Sequence, residues 1–303
     1  MFRRKKWGLA LGGGFLRGAA HIGVLKVLAG EGLRPDLVAG TSAGSIVAAL
    51  FCAGRRPEEL EEMARQLRPV AFFDPCAVIG SLGAMILQTV CDFLRLPLFP
   101  RPLPGLVSGA KMERWLEEAF SRCAFRDLKT ALAIVAVDIN TGMRVVFTGL
   151  DVYLPAPPED IVFIRGVPVA PAVVASCAVP GVFRPKRIGI RLLVDGGLKE
   201  NVPVETLSLL GADVAVGVDV GYDGEPYKDI RSLAQLLSQS LDIIGSAVTE
   251  SKLKEYAHLV IRPVLKDVAP WDFHRIPYCI RQGEEAAHEA LPALKKLLGP
   301  GRG

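Results

Sequence analysis

Residues 37–50 read Leu37-Val38-Ala39-Gly40-Thr41-Ser42-Ala43-Gly44-Ser45-Ile46-Val47-Ala48-Ala49-Leu50: an apolar run, a Gly-x-Ser-x-Gly pentapeptide and a helix-like apolar run. This order predicts a strand, a sharp turn and a helix, with the central residue in a strained backbone that costs about 1–3 kcal/mol. The elbow residues Gly40, Thr41 and Gly44 then leave the Ser42 hydroxyl exposed at a helix N-terminus, where the Ala43 N–H and the helix dipole favour negative charge. The pentapeptide predicts a nucleophilic serine, and close packing of small residues explains it equally well.

Length and charge limit the classes of protein. The chain has 303 residues, which allows one large domain or two ordinary ones, and we predict a single domain over residues 7–298 with tails at 1–6 and 299–303, the second of them disordered. Half of the residues are hydrophobic, so much apolar surface is buried or offered to an apolar ligand. Net charge is only +4, and Arg3-Arg4-Lys5-Lys6 is the one dense basic run. We therefore expect no nucleic-acid partner.

No segment is predicted to cross a membrane. The apolar stretch at 7–11 breaks at Gly12-Gly13-Gly14, and the stretch at 76–90 is shorter than the ~20 residues that a span needs. The six cysteines are scattered without a Cys-x-x-Cys pair, which favours buried free thiols in a reducing cytoplasm and gives no metal site. Arg3 to Lys6 are expected to form a solvated tail. Attraction to an anionic inner membrane surface, about 1 kcal/mol per basic residue, remains an alternative.

Strands and helices are predicted to alternate, which implies a parallel sheet. The predicted strands cover residues 7–11, 37–39, 132–140, 144–148, 191–194, 214–220 and 259–262. The predicted helices cover residues 18–31, 45–53, 57–68, 111–120, 169–176, 230–255 and 281–298. Thr141-Gly142 joins two strands in a hairpin. The apolar, proline-containing stretch at about 70–110 shows no strand alternation and is predicted to be an insertion.

A glycine-rich loop precedes the first helix. Gly12-Gly13-Gly14 ends the first strand and, with Arg17-Gly18, presents unpaired N–H groups at the sheet edge where Ser42 is expected. Two adjacent strand ends would share one pocket, so the loop is a candidate oxyanion site. A phosphate-binding loop is the other explanation, but the pattern is neither Gly-x-Gly-x-x-Gly from Gly12 nor Gly-Lys-Ser/Thr.

The candidate base is an aspartate. Asp195 closes the run Leu192-Leu193-Val194 and precedes Gly196-Gly197, which permit a tight turn at a strand end. With a reference pKa near 3.9, an ionised carboxylate there can accept the proton of Ser42. An ordinary turn also explains this pattern. Of the four histidines, His21 lies on an apolar helix face and is expected to be structural, while three in the C-terminal part leave a triad open: His258, His274 and His288.

Taken together, the motifs resemble the patatin-like phospholipase family of the bacterial cytoplasmic type. Its blocks occur in order over most of residues 7–220: Leu9 to Gly14, Arg17 to Leu25, Gly40 to Gly44, Ala175 to Phe183, and Val194 to Gly197 followed by Asn201-Val202-Pro203. The resemblance implies an α/β three-layer sandwich, with a mostly parallel central sheet and helices on both faces. It also implies a lipid acyl hydrolase that forms an acyl-enzyme without metal or cofactor.

By that resemblance Ser42 is the nucleophile, Asp195 is its partner in a dyad without histidine, and the loop from Gly12 to Gly18 is the oxyanion hole. The family has glycine where this chain has Phe15, and phenylalanine is strained if that position needs a positive φ. A catalytically weak lipid-binding or regulatory protein therefore remains an alternative, as does an α/β-hydrolase with a Ser-Asp-His triad. The insertion at about 70–110 is a lid or acyl-chain wall, or a helical layer on the core. The sequence does not indicate the oligomeric state.

Overall fold

The computed structural model describes residues 4–68, 107–120, 123–154, 158–221, 233–269 and 272–299 and positions 83, 91, 94, 105 and 156. Nine strands within these residues form one sheet. The strands are β1 (Trp7–Leu11), β2 (Leu37–Thr41), β3 (Ala131–Asp138), β4 (Arg144–Thr148), β5 (Ile161–Ile164), β6 (Lys186–Ile188), β7 (Arg191–Asp195), β8 (Val214–Val218) and β9 (Leu259–Ile261). Their spatial order is β5-β4-β3-β2-β1-β8-β9, with β7 paired to β3 and β6 to β7.

The sheet is mostly parallel, as expected. Parallel pairing joins β1 to β2 and β8, β2 to β3, β4 to β5, and β8 to β9. Antiparallel pairing joins β3 to β4 and to β7, and β6 to β7. The β3–β4 pair confirms the predicted hairpin.

Helices cover both faces of the sheet and complete the three layers. They are α1 (Ala20–Gly30), α2 (Ala43–Cys52), α3 (Pro57–Gln66), α4 (Ala110–Phe120), α5 (Val169–Ser176), α6 (Val204–Leu209), α7 (Leu233–Tyr256) and α8 (Ile276–Leu298). Side chains alternate along each strand. Leu9 of β1 therefore belongs to the core formed with α1, α2 and α8, while Ala10 belongs to the core formed with α6 and α7.

The sequence did not predict two short strands and one short helix, and the last helix begins five residues earlier than predicted. The elements β5, β6 and α6 have three to six residues each, too few for a periodic pattern. The last helix begins at Ile276 and not at residue 281. Pro277 lies in its first turn, where a missing N–H costs no hydrogen bond, so the proline starts this helix.

Several predictions fall outside the described residues: nearly all of the insertion at 70–110, residues 1–3 of the N-terminal segment, and residues 300–303. Residues 4–6 lead into β1 at the amino edge of the parallel strands, where Arg4 forms an ion pair with Asp36 at 2.8 Å. The Lys6 N–H donates to Asp213 at 2.7 Å. Among the helices of the described chain, none combines the length and the apolar character that crossing a membrane requires.

Candidate active site

Strands β2 and β7 meet end to end along β3. Thr41, the last residue of β2, lies opposite Val135 of β3, and Asp195, the last residue of β7, lies opposite Ala136. Because β2 and β7 run in opposite directions, their carboxyl ends converge. Ser42 follows Thr41 directly, so Ser42 and Asp195 line the same cavity, close enough for the Ser42 hydroxyl to influence the pKa of the Asp195 carboxyl.

The backbone at Ser42 has the strained conformation expected of a sharp turn, with φ 51° and ψ −127°. Neighbouring groups hold it there: the Ser42 N–H donates to Ser176 Oγ at 2.9 Å, and the Ser42 carbonyl accepts from Ser45 N and Oγ at 2.8 and 2.6 Å. A Cβ on Gly44 would lie 2.1 Å from the Leu11 carbonyl oxygen, so this position requires glycine. Strain of this kind persists only where the surroundings enforce it.

Asp195 is 7% exposed, and its carboxylate accepts a hydrogen bond of 2.7 Å from the Gly197 N–H beside the Ser42 hydroxyl. Within the described part of the chain, Asp195 forms no ion pair. Burial raises the pKa of Asp195 to about 6, although the hydrogen bonds from Ser42 and Gly197 oppose the rise. The expectation from the reference pKa therefore needs correction, because this carboxylate is a stronger base than a solvated one. It remains mostly ionised at neutral pH.

Two amides of the glycine loop are engaged within the protein. The Gly12 N–H donates to the Val218 carbonyl at 3.1 Å, and the Gly13 N–H donates to the Asn201 carbonyl at 3.2 Å. The Asn201 side chain returns a hydrogen bond to the Gly13 carbonyl, also at 3.2 Å. Asn201 thus fastens the loop to the segment that follows Asp195, a role that the sequence motif alone did not reveal.

Two other amides are free to donate. The Gly14 N–H has no acceptor within the described chain, and the Ala43 N–H, at the first position of α2, has none within its helix. The Arg17 N–H donates to the Gly14 carbonyl at 3.0 Å and closes the turn. A Cβ on Gly18 would lie 2.6 Å from the Ala43 Cβ, so the missing side chain lets the loop approach α2.

Phe15 has φ 49°, so the loop does place a residue other than glycine in the left-handed region. The backbone at Phe15 is therefore strained, because the position has the positive φ considered in the sequence analysis. Two cavities meet at Ser42, and Phe15 lines each of them.

Histidines are absent from the described lining of both cavities. His21 is fully buried, and its Nε2 donates to the Gly12 carbonyl at 2.7 Å. Burial lowers the pKa of His21 to about 4, although this hydrogen bond opposes the fall, so the ring is neutral and supports the loop from α1. His258 Nδ1 accepts from the Ala215 N–H at 3.2 Å, at the amino edge of the sheet. Neither of these two histidines lies beside Ser42 and Asp195.

A buried charged cluster holds the segment after the Asp-Gly-Gly turn. Arg144 is 1% exposed and donates to Glu200 at 2.7 Å and to Glu205 at 2.5 and 2.8 Å, while Lys252 also pairs with Glu205. The Glu200 carbonyl accepts from Thr41 Oγ1 at 2.9 Å, which ties the cluster to the residue before Ser42. The sequence analysis did not predict this cluster, for which the only signal is a charged residue at the start of an apolar strand run.

Two cavities of opposite character meet at Ser42. The polar one has a volume of about 560 Å³, and besides Asp195 its lining includes five charged residues: Arg17, Asp219, Asp242, Glu250 and Arg262. The apolar one has a volume of about 160 Å³, and no charged side chain of the described residues lines it. Its wall comes from α1 to α4, with Ile22, Ile46, Met63 and Trp115 among the contributors. No cluster of three potential metal ligands occurs in the described residues.

Comparison with protein-family models gives one match for this arrangement. The model described as patatin-like phospholipase matches residues 9–208, which is more than half of the chain. The matched range includes the glycine loop, the Ser42 turn and Asp195.

Relatives of similar sequence support the match. The uncharacterized protein YqhO of Bacillus subtilis is 28% identical over 278 residues, which cover 86% of this chain and 88% of that protein. Neuropathy target esterase sws of Drosophila melanogaster is 26% identical over 280 residues, covering 92% of this chain but only 16% of the fly protein. Patatin-like phospholipase domain-containing protein 6 of mouse is 28% identical, covering 91% of this chain and 17% of the mouse protein.

A solved structure supports the fold. VipD from Legionella pneumophila superposes with a TM-score of 0.53 at 15% identity, over 96% of this chain and 67% of VipD.

Proposed function

The chain belongs to the patatin-like phospholipase family, a family of hydrolases that act on lipid esters, and we propose that it does so through a dyad of Ser42 and Asp195. The observation that carries the proposal is that Ser42, which lies where a polar and an apolar cavity meet, is close enough to Asp195 for its hydroxyl to lower the pKa of that carboxyl. No histidine of the described chain lines either cavity, so Asp195 is the group in position to take the serine proton.

The reaction needs one proton carrier. Ser42 Oγ attacks the ester carbonyl carbon while its proton passes to Asp195, and the carbonyl oxygen becomes an oxyanion. As the tetrahedral species collapses, the carbon–oxygen bond to the alcohol breaks and Asp195 returns the proton to the leaving alcohol. Water then repeats the sequence on the acyl-enzyme: Asp195 accepts its proton, and Ser42 leaves with that proton.

The oxyanion requires donors beside Ser42. We assign this role to the N–H groups of Gly14 and Ala43, because the N–H groups of Gly12 and Gly13 already have acceptors. Each such donor increases kcat by a factor on the order of 10²–10³. The strained turn at Ser42 supports this assignment, because it places the serine at the N-terminus of α2.

The two cavities suit the two ends of a lipid ester. An acyl chain is compatible only with the uncharged cavity, since burying apolar surface there is favourable by about 25 cal/mol per Å². The glycerol and head group then occupy the polar cavity, where Arg17 and Arg262 are the cations and Asp219, Asp242 and Glu250 the anions.

A weakly catalytic lipid-binding protein is the alternative, and the positive φ of Phe15 is the observation that favours it. The strained position belongs to the loop that carries the proposed donor Gly14. The peptide N–H groups of the loop do not depend on the side chain at residue 15, so we favour catalysis.

Labelling with a fluorophosphonate and hydrolysis of a short-chain p-nitrophenyl ester test the proposal together. We expect Ser42→Ala to abolish labelling and to lower turnover by at least about 10³-fold. Ser246→Ala is the matched control, because Ser246 lines the polar cavity and its hydroxyl donates to a carbonyl within its own helix.

Each result separates the candidates. Labelling without turnover would support the binding protein, and the absence of both would overturn the hydrolase. Loss of turnover in a folded His258→Ala, His274→Ala or His288→Ala variant would overturn the dyad.

A further inference from the structure

Exposed large apolar side chains are concentrated at the carboxyl edge of the parallel strands, the edge where Ser42 lies. Eight such side chains occur in the described chain. Three of them lie next to strand ends at this edge, Ile139, Ile190 and Val264, and three lie on α7 among residues that line the polar cavity, Ile243, Ile244 and Val248. Tyr153, which is 91% exposed, follows β4 at the opposite edge. Scattered exposed apolar residues are normal, but their concentration around a cleft indicates a contact surface.

The hairpin of β6 and β7 carries the most exposed of these six side chains. Ile188 pairs with Arg191, and the two-residue turn between them has Gly189 at φ 58° and Ile190 at its tip, 91% exposed. From this tip β7 runs back to Asp195 over five residues, roughly 16 Å at the usual rise per residue. Arg187 is exposed on the same hairpin and has no ion-pair partner among the described residues. The tip thus combines an apolar side chain with an available cation.

The second apolar surface lies on α7. Ile243 and Ile244 are 53% and 63% exposed, while Gly245 and Ser246, on the same helix, line the polar cavity. Val264 follows β9, the last strand in the spatial order. The hairpin pairs with β3, which lies on the other side of β2 and β1. The apolar side chains therefore lie on both sides of the strands that carry Ser42 and the glycine loop.

We propose that the carboxyl edge of the sheet docks on an anionic lipid surface, with Ile190 and the exposed face of α7 entering the interface and Arg187 contacting the head groups. This proposal rests on the proposed function, because a hydrolase of lipid esters takes its substrate from such a surface. A protein that covered both apolar surfaces would close the cleft between them, whereas a lipid surface delivers substrate into it. Residues 4–6 of the basic N-terminal segment lie at the opposite edge, where Arg4 is already paired with Asp36.

Vesicle flotation tests this proposal independently of catalysis when all variants carry Ser42→Ala. The probes are vesicles of phosphatidylcholine alone and of phosphatidylcholine with an equal amount of phosphatidylglycerol. We expect Ile190→Asp to lower the partition coefficient about tenfold, since one isoleucine no longer enters the apolar layer. Tyr153→Asp is the matched control, equally exposed at the other edge, and its partition coefficient should stay within about twofold of the parent.

A second variant tests the charge. Arg187→Ser should weaken binding about fivefold on the anionic vesicles and leave binding to phosphatidylcholine unchanged. Circular dichroism confirms that each variant is folded, and Ile244→Asp replaces Ile190→Asp if the hairpin variant is not. The proposal is overturned if the parent does not bind vesicles, or if Ile190→Asp and Tyr153→Asp lower binding equally. It is also overturned if sedimentation shows a dimer that Ile190→Asp dissociates, because the surface would then bind a second copy of the chain.

Discussion

Asp195 and Glu205 are two carboxylates buried to the same extent, each 7% exposed, whose pKa values shift in opposite directions. Burial raises the pKa of Asp195 to about 6, because its partners are a hydroxyl and an N–H. Burial alone would also raise the pKa of Glu205, but the hydrogen bonds and charges of Arg144 and Lys252 outweigh it and lower the pKa to about 2. The difference shows that cationic partners can reverse the effect of burial on the pKa of an acid, whereas a hydroxyl and an N–H do not.

The two carboxylates therefore have separate tasks. Glu205 stays ionised and binds Arg144. Arg144 also binds Glu200, whose carbonyl accepts a hydrogen bond from Thr41 at the end of β2. Asp195 bears the cost of an uncompensated buried charge, and a buried acid that is easily protonated suits proton transfer. Three changes test this division, in order of decreasing expected effect.

Removal of the cation shared by both glutamates should have the largest effect. Arg144→Met leaves Glu200 and Glu205 buried without it, and removing one partner of a buried ion pair typically costs about 3–5 kcal/mol. We expect a loss of that size in the free energy of unfolding, measured by urea denaturation near neutral pH.

The matched control for Arg144→Met is Arg65→Met, which breaks an exposed pair with Glu61 one helical turn away. Exposed pairs of this kind contribute about 1 kcal/mol or less. If both variants lose a similar small amount of stability, the buried cluster does not hold the frame and the contrast with Asp195 fails. Adding Glu200→Gln and Glu205→Gln to Arg144→Met should recover part of the loss, since no buried anion then lacks a cation.

Substitution of Asp195 should stabilise the protein in a pH-dependent manner. The folded pKa, about 6, lies above the ordinary value of 3.8, so the folded state binds the proton more tightly than the unfolded state. The stabilisation that the folded state gains by binding this proton is fully present at pH values below the ordinary pKa, and it is lost as pH rises through about 6. Asp195→Asn does not titrate, so its advantage over wild type should grow by about 2 kcal/mol between pH about 4 and 7.

The measurement is the difference in unfolding free energy between Asp195→Asn and wild type across that pH range, because other titrating groups cancel in the difference. A difference that stays constant with pH would mean that burial does not raise the pKa of Asp195.

The sequence predicted the parts of the site that tight turns mark. Glycines flank Ser42 and follow Asp195 because backbones approach closely there, and this need leaves a trace in composition. The end-to-end meeting of β2 and β7 left no such trace, since it depends on β7 pairing antiparallel to β3 some 55 residues earlier in the chain. The partnership of Arg144 with Glu205 spans 61 residues and is equally invisible locally. The catalytic roles of Ser42 and Asp195 stay predictions until the variants are assayed.

The smallest expected effect is on the pH profile of wild-type activity. Only the ionised form of Asp195 accepts the serine proton, so kcat/KM on a soluble short-chain ester should be flat above pH about 7 and fall tenfold per unit below about 6. Circular dichroism at each pH separates this fall from acid unfolding.

Glu205→Gln is the control for that profile, because a group with a pKa of about 2 does not titrate in this range and the break should stay near 6. A break near pH 4 in wild type would give Asp195 the pKa of a solvated aspartate. The two buried carboxylates would then differ in position and not in protonation, and the argument that an unpaired buried acid is kept for proton transfer would lose its basis.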